Sequence, residues 1–314
     1  MKNHRDDTVS AADGHKIAIQ AWASDGEPVA VVQILHGLGE HIGRYARFAA
    51  AANERGFAVI GHDHRGHGPG CSDRGYFSGR DGWRKVVADV HAVNEWCRDR
   101  YAGLPIVMLG HSMGSFIAES FAMHHGAYLK GLLLSGSNWP ARLQLLPGRI
   151  AAYLEAWRIG PQNESRLLAR LGFGAFNKCF KPNRTDFDWL SRDEAEVDKY
   201  IADPACGGPF SCRLWTDFLG GLWELGSDDA LNRIPADLPI LISGGGADPV
   251  GGEKGMASLM MHYAQTGHSR VKLRIYPDGR HEMLNEINRD DVTRDWLDWI
   301  ATTVGLRQAE RPAA

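Results

Sequence analysis

An α/β fold with a mostly parallel central sheet is predicted by three observations on this chain. Short apolar runs alternate with longer stretches in which apolar residues recur at helical spacing. Some runs, Val29–Leu35 above all, are apolar almost throughout, as strands buried on both faces require. The alternation holds at both ends of the chain, which implies βαβ units with helices on both faces of the sheet.

Ile17, Ile19 and Ala21 alternate with polar neighbours after the turn Asp13-Gly14 and predict a half-buried first strand. Val29–Leu35 predicts a second strand, followed by a helix from about Arg44 to Arg55. Gly56 stops that helix before a strand at Phe57–Ile60. Trp83, Val86, Val90, Val93 and Trp96 share one face of a helix from about Gly82 to Arg100. A strand at Pro105–Leu109, a helix through Phe116, Ile117 and Phe121, and a strand at Leu132–Leu134 follow. Much later come a strand at Pro239–Ser243, a helix near Lys254–Gln265, a strand at Val271–Tyr276 and a helix from about Asp290 to Thr303.

A crossover needs about a dozen residues or more, yet roughly 100 separate Gly136 from Pro239. They are rich in aromatics, among them Trp157, Phe173, Trp189, Trp215 and Phe218, and predict a helical cap insertion over the C-terminal edge of the sheet. Such a cap would exclude water and build an apolar pocket. The expected division is 1–136 with 239–307 for the core, 137–238 for the cap, and 308–314 for a frayed tail.

A formal net charge of −3 offers no basic footprint for nucleic acid. Five cysteines without a C-x-x-C pair predict reduced thiols, Cys206 and Cys212 included. The opening Met1-Lys2-Asn3-His4-Arg5-Asp6-Asp7 lacks the apolar core of a secretory leader, and no run approaches the ~20 apolar residues of a membrane span. A cytoplasmic protein is the expectation.

The pentapeptide Gly110-His111-Ser112-Met113-Gly114 carries the chemistry. It sits between the Pro105–Leu109 run and a helix, the setting of a nucleophile elbow. The flanking glycines keep side chains out of a turn too tight to hold them. The serine is thereby exposed at a helix N-terminus, whose dipole favours developing negative charge. A serine needs a base held by an acid, each on a loop after a later strand. Asp248 follows the Pro239–Ser243 strand, whereas Asp237 precedes it and Asp228 and Asp229 fall in the insertion. Of the later histidines, His262 is mid-helix and His268 precedes its strand. His281 alone follows one, beyond the turn Pro277-Asp278-Gly279. Backbone amides of Met113 and of Leu38, in His36-Gly37-Leu38-Gly39 after the Val29–Leu35 strand, are the expected oxyanion donors. His62-Asp63-His64-Arg65-Gly66-His67 approaches a zinc-hydrolase pattern, but Gly66 stands where the aspartate ligand should be, and a structural turn is expected. Neither metal nor cofactor is predicted.

Five segments, HGLGEHIGRY (36–45), DHRGHG (63–68), GHSMGS (110–115), ADPVGG (247–252) and RHEMLNE (280–286), resemble the monoacylglycerol lipase and bacterial lysophospholipase branch of the α/β-hydrolases. That branch is sometimes grouped with the serine aminopeptidase-like hydrolases, and the similarity covers nearly the whole chain. The resemblance implies Ser112 as nucleophile, Asp248 as acid, His281 as base and the amides of Leu38 and Met113 as oxyanion hole. It also implies that His64, His67 and His111 are structural. Ser115 replaces a glycine common in that family, and the insertion carries no motif for a glycerol head group.

The expected activity is hydrolysis of carboxylic esters through an acyl-enzyme, with a lysophospholipid or monoacylglycerol as substrate. Short-chain esters are an alternative, as is an aminopeptidase using cap acids such as Glu155, Glu164, Asp186, Asp188, Asp193, Glu194, Glu196 and Asp198 to hold an ammonium. A non-catalytic binder of apolar ligands is a fourth reading. The amphipathic stretch Leu143–Trp157 suits either transient contact with a lipid surface or burial within the cap.

Overall fold

The computed structural model describes residues 4–208 and 210–306. The predicted tail 308–314 and the first residues of the N-terminus lie outside them. In chain order the elements are β1 (His4–Ser10), β2 (Lys16–Trp22), β3 (Ala30–Leu35), α1 (Ala46–Glu54), β4 (Phe57–His62), α2 (Gly82–Arg100), β5 (Ile106–His111), α3 (Met113–His125) and β6 (Gly131–Ser135). Five helices follow: α4 (Arg142–Ile159), α5 (Arg166–Gly172), α6 (Glu194–Ala202), α7 (Cys212–Leu225) and α8 (Asp228–Leu231). The chain then returns to the sheet with β7 (Ile240–Gly245), α9 (Gly252–Gln265), β8 (Val271–Tyr276) and α10 (Arg289–Thr303).

One eight-stranded sheet runs in the order β1-β2-β4-β3-β5-β6-β7-β8. The β1–β2 and β2–β4 pairs are antiparallel and all the others parallel, which is the α/β-hydrolase architecture expected from the motifs. Period-two alternation in a strand buried on both sides supplies two cores. In β3, Val31 and Leu35 join a core with α2, α3 and α9 on one face, while Val32 and Ile34 join α1 and α10 on the other. β1 escapes sequence detection because it is an edge strand without apolar alternation, Asp7 to Ser10 being exposed or half-buried. The predicted helix over Arg44–Arg55 begins as a 3₁₀ turn at Ile42–Tyr45, and the Phe57–Ile60 strand runs on to His62.

The order places two loops at one point. β3 lies between β4 and β5, so the chain leaves β3 toward one edge and β5 toward the other. The crevice at such a reversal, beyond the carboxyl ends of the strands, is where open α/β sheets bind ligands. The loops after β3 and β5 contain Leu38 and Ser112. Those after β7 and β8 contain Asp248 and His281.

The segment between β6 and β7 is locally encoded. Ser165, Asp193, Ser211 and Ser227 each accept a hydrogen bond from an amide in the first turn of α5, α6, α7 and α8. These caps were the available signal for its helix starts. α4 packs one face on the core through Leu145, Ala151, Ala152 and Ala156, but Leu143 and Trp157 are each 86% exposed and Ile150, Tyr153 and Leu154 are also exposed, so burial leaves this second apolar face unaccounted for.

Candidate active site

Ser112 joins β5 to α3 with φ 51° and ψ −122°, a conformation rare for a residue with a side chain. Its amide donates to Ser135 O at 2.8 Å, and its own carbonyl accepts from the Ser115 amide at 2.8 Å and hydroxyl at 2.7 Å. Ser115, buried, thus braces the turn where a glycine could not. A Cβ on Gly114 would run into the carbonyl oxygens of Leu35 and His36, and one on Gly110 into the backbone of Gly114. Steric exclusion from neighbouring backbone explains both glycines. Met113 opens α3, so its amide lacks an intrahelical acceptor.

Asp248 follows β7 and His281 follows β8, and both side chains are buried. His281 Nδ1 lies 2.9 Å from Asp248 Oδ2, while Asp248 Oδ1 accepts from the Val250 amide at 2.9 Å. With the carboxylate on Nδ1, the neutral ring carries its proton there and leaves Nε2 as the basic atom. Burial disfavours the imidazolium, but the Asp248 charge and hydrogen bond outweigh it, with Glu282 and Glu40 adding to them, and hold His281 above its ordinary value. Ser112, His281 and Leu38 line one cavity of about 590 Å³, within the range of small-molecule sites. Phe116, Trp139, Phe173, Trp189, Trp215 and Phe218 make much of its wall, so residues 137–238 supply most of the aromatic surface facing Ser112.

Sequence reasoning overlooked a buried charge network, two members of which, Glu40 and Glu282, line this cavity. Glu40 Oε1 accepts from the Gly37 amide at 2.6 Å and from the Tyr45 hydroxyl at 2.9 Å. Arg44 donates to Glu40 Oε2 at 2.9 Å and to both oxygens of Glu282 at 2.6 and 2.7 Å. All three residues lie inside motifs already quoted, and Glu40 to Arg44 has the i, i+4 spacing of a helical ion pair. Glu282 is 238 residues from Arg44, which no local signal could reveal.

The 137–238 segment is attached to both loops of the site. The amides of His281 and Glu282 donate to Trp189 O at 3.4 Å and Leu190 O at 2.8 Å. Gly39 O accepts from the Gly207 amide at 2.8 Å and the Tyr200 hydroxyl at 2.9 Å, and His41 Nε2 meets Asp203 Oδ2 at 2.9 Å.

The histidine-rich run packs as a structural knot. His36 Nε2 accepts from the His64 amide at 3.0 Å, which puts the ring proton on Nδ1, 2.8 Å from Gly37 O. The His36 and His64 ring centroids are 4.3 Å apart, and those of His62 and His64 4.9 Å. Burial lowers His36 to about 4, His62 and His67 to about 3, and His64 well below its ordinary value. Burial likewise lowers His111, beside Ser135, to about 4. Of the other candidates, His268 is buried against Ile234 O, and His262 pairs with the exposed Asp228. All five cysteines are free thiols.

Comparison with known proteins agrees with this architecture. Monoglyceride lipase of Homo sapiens is 29% identical over 95% of this chain and 89% of its own length. Monoacylglycerol lipase of Mycolicibacterium smegmatis is 26% identical over 94% and 96% respectively. The structure of a highly thermostable carboxyl esterase from Bacillus coagulans superposes with a TM-score of 0.86 at 29% identity, covering 96% of this chain and 99% of that one. The family model described as serine aminopeptidase, S33, matches residues 26–288. The chain therefore belongs to the S33 serine aminopeptidase family of α/β-hydrolases.

Proposed function

We propose that this chain hydrolyses carboxylic esters of lipid type, with Ser112 as nucleophile, His281 as base, Asp248 as its orienting acid, and the amides of Leu38 and Met113 as oxyanion hole. The carrying observation is the cavity itself, an aromatic-walled space of about 590 Å³ with Ser112 and His281 on its lining. Residues 137–238 then act as a cap that selects the acyl group. The names of the relatives, monoglyceride and monoacylglycerol lipase, support a glycerol monoester as substrate.

In this mechanism His281 Nε2 takes the Ser112 proton as Oγ attacks the ester carbonyl. The tetrahedral oxyanion is met by the two amides, each lowering the barrier by roughly 2.7–4 kcal/mol. His281 returns the proton to the departing alcohol, leaving an acyl-serine. Water, deprotonated by the same nitrogen, releases the acid and restores the serine. Asp248 holds the tautomer and balances the imidazolium charge throughout.

An aminopeptidase would need an acidic group facing the cavity to hold the substrate ammonium. Of the eight cap acids named above, none is among its described lining residues, and the two acids that are, Glu40 and Glu282, are both taken up by Arg44. Glu155 is engaged by Arg158 and Ser165, Asp193 by Arg289, Glu196 by Arg47, and Asp198 by Arg184. Esters are therefore preferred over peptides. Among the described residues no helix is long and apolar enough to cross a membrane, and the exposed face of α4 would contact lipid from the surface. A hydrolysis panel crossing acyl length with head group, over monoglycerides, lysophospholipids, short esters and amino-acyl amides, tests the assignment. Long-chain monoesters should turn over fastest, and a fluorophosphonate should label the protein but not Ser112→Ala. Absence of labelling in the intact protein, or rates flat from short to long chains, refutes the corresponding half of the proposal.

A further inference from the structure

We propose that Arg44 is a positioning residue that ties the oxyanion loop to the base loop, setting through Glu40 and Glu282 both the aim of the oxyanion donors and the proton affinity of His281. This inference rests on the ester hydrolase reading above and adds to it a residue that touches none of the reacting atoms.

The geometry is continuous from one loop to the other. Glu40 holds the amide of Gly37, the residue immediately before the oxyanion donor Leu38, at 2.6 Å. Arg44 grips Glu40 through one nitrogen and Glu282 through two, and Glu282 is the residue immediately after His281. The side chains of Glu40, Arg44 and Glu282 are 5%, 11% and 7% exposed, so the fork-to-carboxylate pairing works largely out of water. Glu282 is fixed again by Asn285 Nδ2 at 2.9 Å. The Arg44 guanidinium also sits 5.0 Å from the Tyr200 ring, whose hydroxyl donates to Gly39 O at 2.9 Å on the far side of Leu38. The oxyanion loop is therefore held at Gly37 and at Gly39, and both holds converge on Arg44.

Charge makes the same group electrostatically active. Around the His281 ring stand Asp248 from the loop after β7, His111 at the end of β5, Glu282 on its own loop, and Glu40 with Arg44 from the loop after β3. The Trp189 ring, 5.0 Å away, closes the cap side without charge. Glu40 and Glu282 both favour the imidazolium. Arg44 cancels one of the two, so the network of two carboxylates and one guanidinium leaves one net negative charge beside the base. Charge alone would shift the pH profile and leave kcat unchanged, so a loss of kcat alongside the charge-signed shift marks the positioning role.

The test is the pH dependence of kcat/KM and the separate kcat and KM of the parent and four variants on one soluble 4-nitrophenyl ester. Glu282→Gln leaves the network neutral and should move the midpoint of the rising limb to lower pH. Arg44→Met leaves two negative charges and should move it to higher pH. The double variant returns to one negative charge and should return the midpoint to that of the parent. In every variant that cuts the tether, kcat should fall by about 10²-fold with KM little changed, the scale expected when catalytic groups are displaced by about 1 Å. Arg44→Lys, which keeps the charge without the fork, should keep the parent midpoint while losing kcat. Midpoints that do not move, that move together, or a Glu282→Gln variant with full kcat would overturn the inference. If Arg44→Met does not fold, as judged by its thermal melt, Glu282→Gln and Arg44→Lys decide alone. An inactive, unlabelled parent enzyme would instead condemn the hydrolase reading.

Discussion

Replacing Asp248 by Asn removes a charge from the site while keeping an oxygen that can accept from His281 Nδ1. In the native pair the nitrogen and oxygen are 2.9 Å apart and both side chains are almost wholly buried. Taking the charge centres as about 4 Å apart at an effective dielectric constant near 20, the attraction for an imidazolium is about 4 kcal/mol. In the proposed mechanism that imidazolium exists in the transition states for acylation and deacylation. Losing its partner therefore costs about three powers of ten in rate. The amide can also present its NH₂ to the ring, turning the tautomer and raising the loss toward about 10⁴-fold. The sign of the pH effect follows from the same pair. His281 acts only when neutral, and its proton affinity is raised in the native enzyme, so kcat/KM should rise with pH through a midpoint above about 6.5. In Asp248→Asn burial is left acting against the imidazolium, and the midpoint should fall. Initial rates on a soluble 4-nitrophenyl ester, measured from about pH 5 to about pH 9, read both quantities. Activity within tenfold of the parent, or an unmoved midpoint, would refute the role given to Asp248.

Three further outcomes are expected. Gly114→Ala should destabilise the fold by at least about 1–3 kcal/mol in urea denaturation, because the added methyl meets backbone carbonyls of Leu35 and His36 rather than a side chain that can turn aside; a loss below about 0.5 kcal/mol would contradict this. Leu143→Glu combined with Trp157→Glu should slow hydrolysis of a monoester embedded in vesicles several-fold while leaving a soluble short ester untouched; equal effects on both would remove the lipid-contact role of α4. Thermal melts should show stability falling steeply between about pH 6.5 and pH 4. His36, His62, His64, His67 and His111 are held neutral when folded and take up protons only on unfolding. Each therefore contributes up to about 1.4 kcal/mol per pH unit. His281, whose folded affinity is raised, works in the opposite sense. A flat profile across that window would mean that the histidine knot opens without unfolding.

The legible parts of this chain were those whose cause is local. A strand buried on both faces must be apolar along its length, which exposed β3 and β5. A turn that backbone carbonyls close in on must carry glycine, which exposed Gly110 and Gly114. Asp248 and His281 could be placed because each follows a readable strand. β1 was not legible, since its sheet partner compensates for a polar, half-exposed sequence. Aromatic content could not separate a lining residue such as Trp215 from Phe180 and Phe187, which pack on a satellite cluster around Trp189 and Tyr200. The Glu40–Arg44–Glu282 network was invisible for a different reason. Its meaning lies in a pairing between residues 238 positions apart, and each member alone reads as an ordinary surface charge.

The hydrogen bonds from the amides of His281 and Glu282 to the carbonyls of Trp189 and Leu190 bear on how such an enzyme can be re-engineered, or can diverge. The stretch proposed to shape the acyl pocket also supplies two rungs that seat His281, the proposed base. Exchanging 137–238 for the corresponding stretch of another hydrolase would transplant a mounting along with a pocket. A chimera whose donor lacked carbonyls at those two points would fail in turnover before its preference could be read. Substrate range in this chain should therefore drift most freely by side-chain replacement on a retained backbone, at positions such as Phe173 and Phe218, and least freely by insertion or deletion near Trp189.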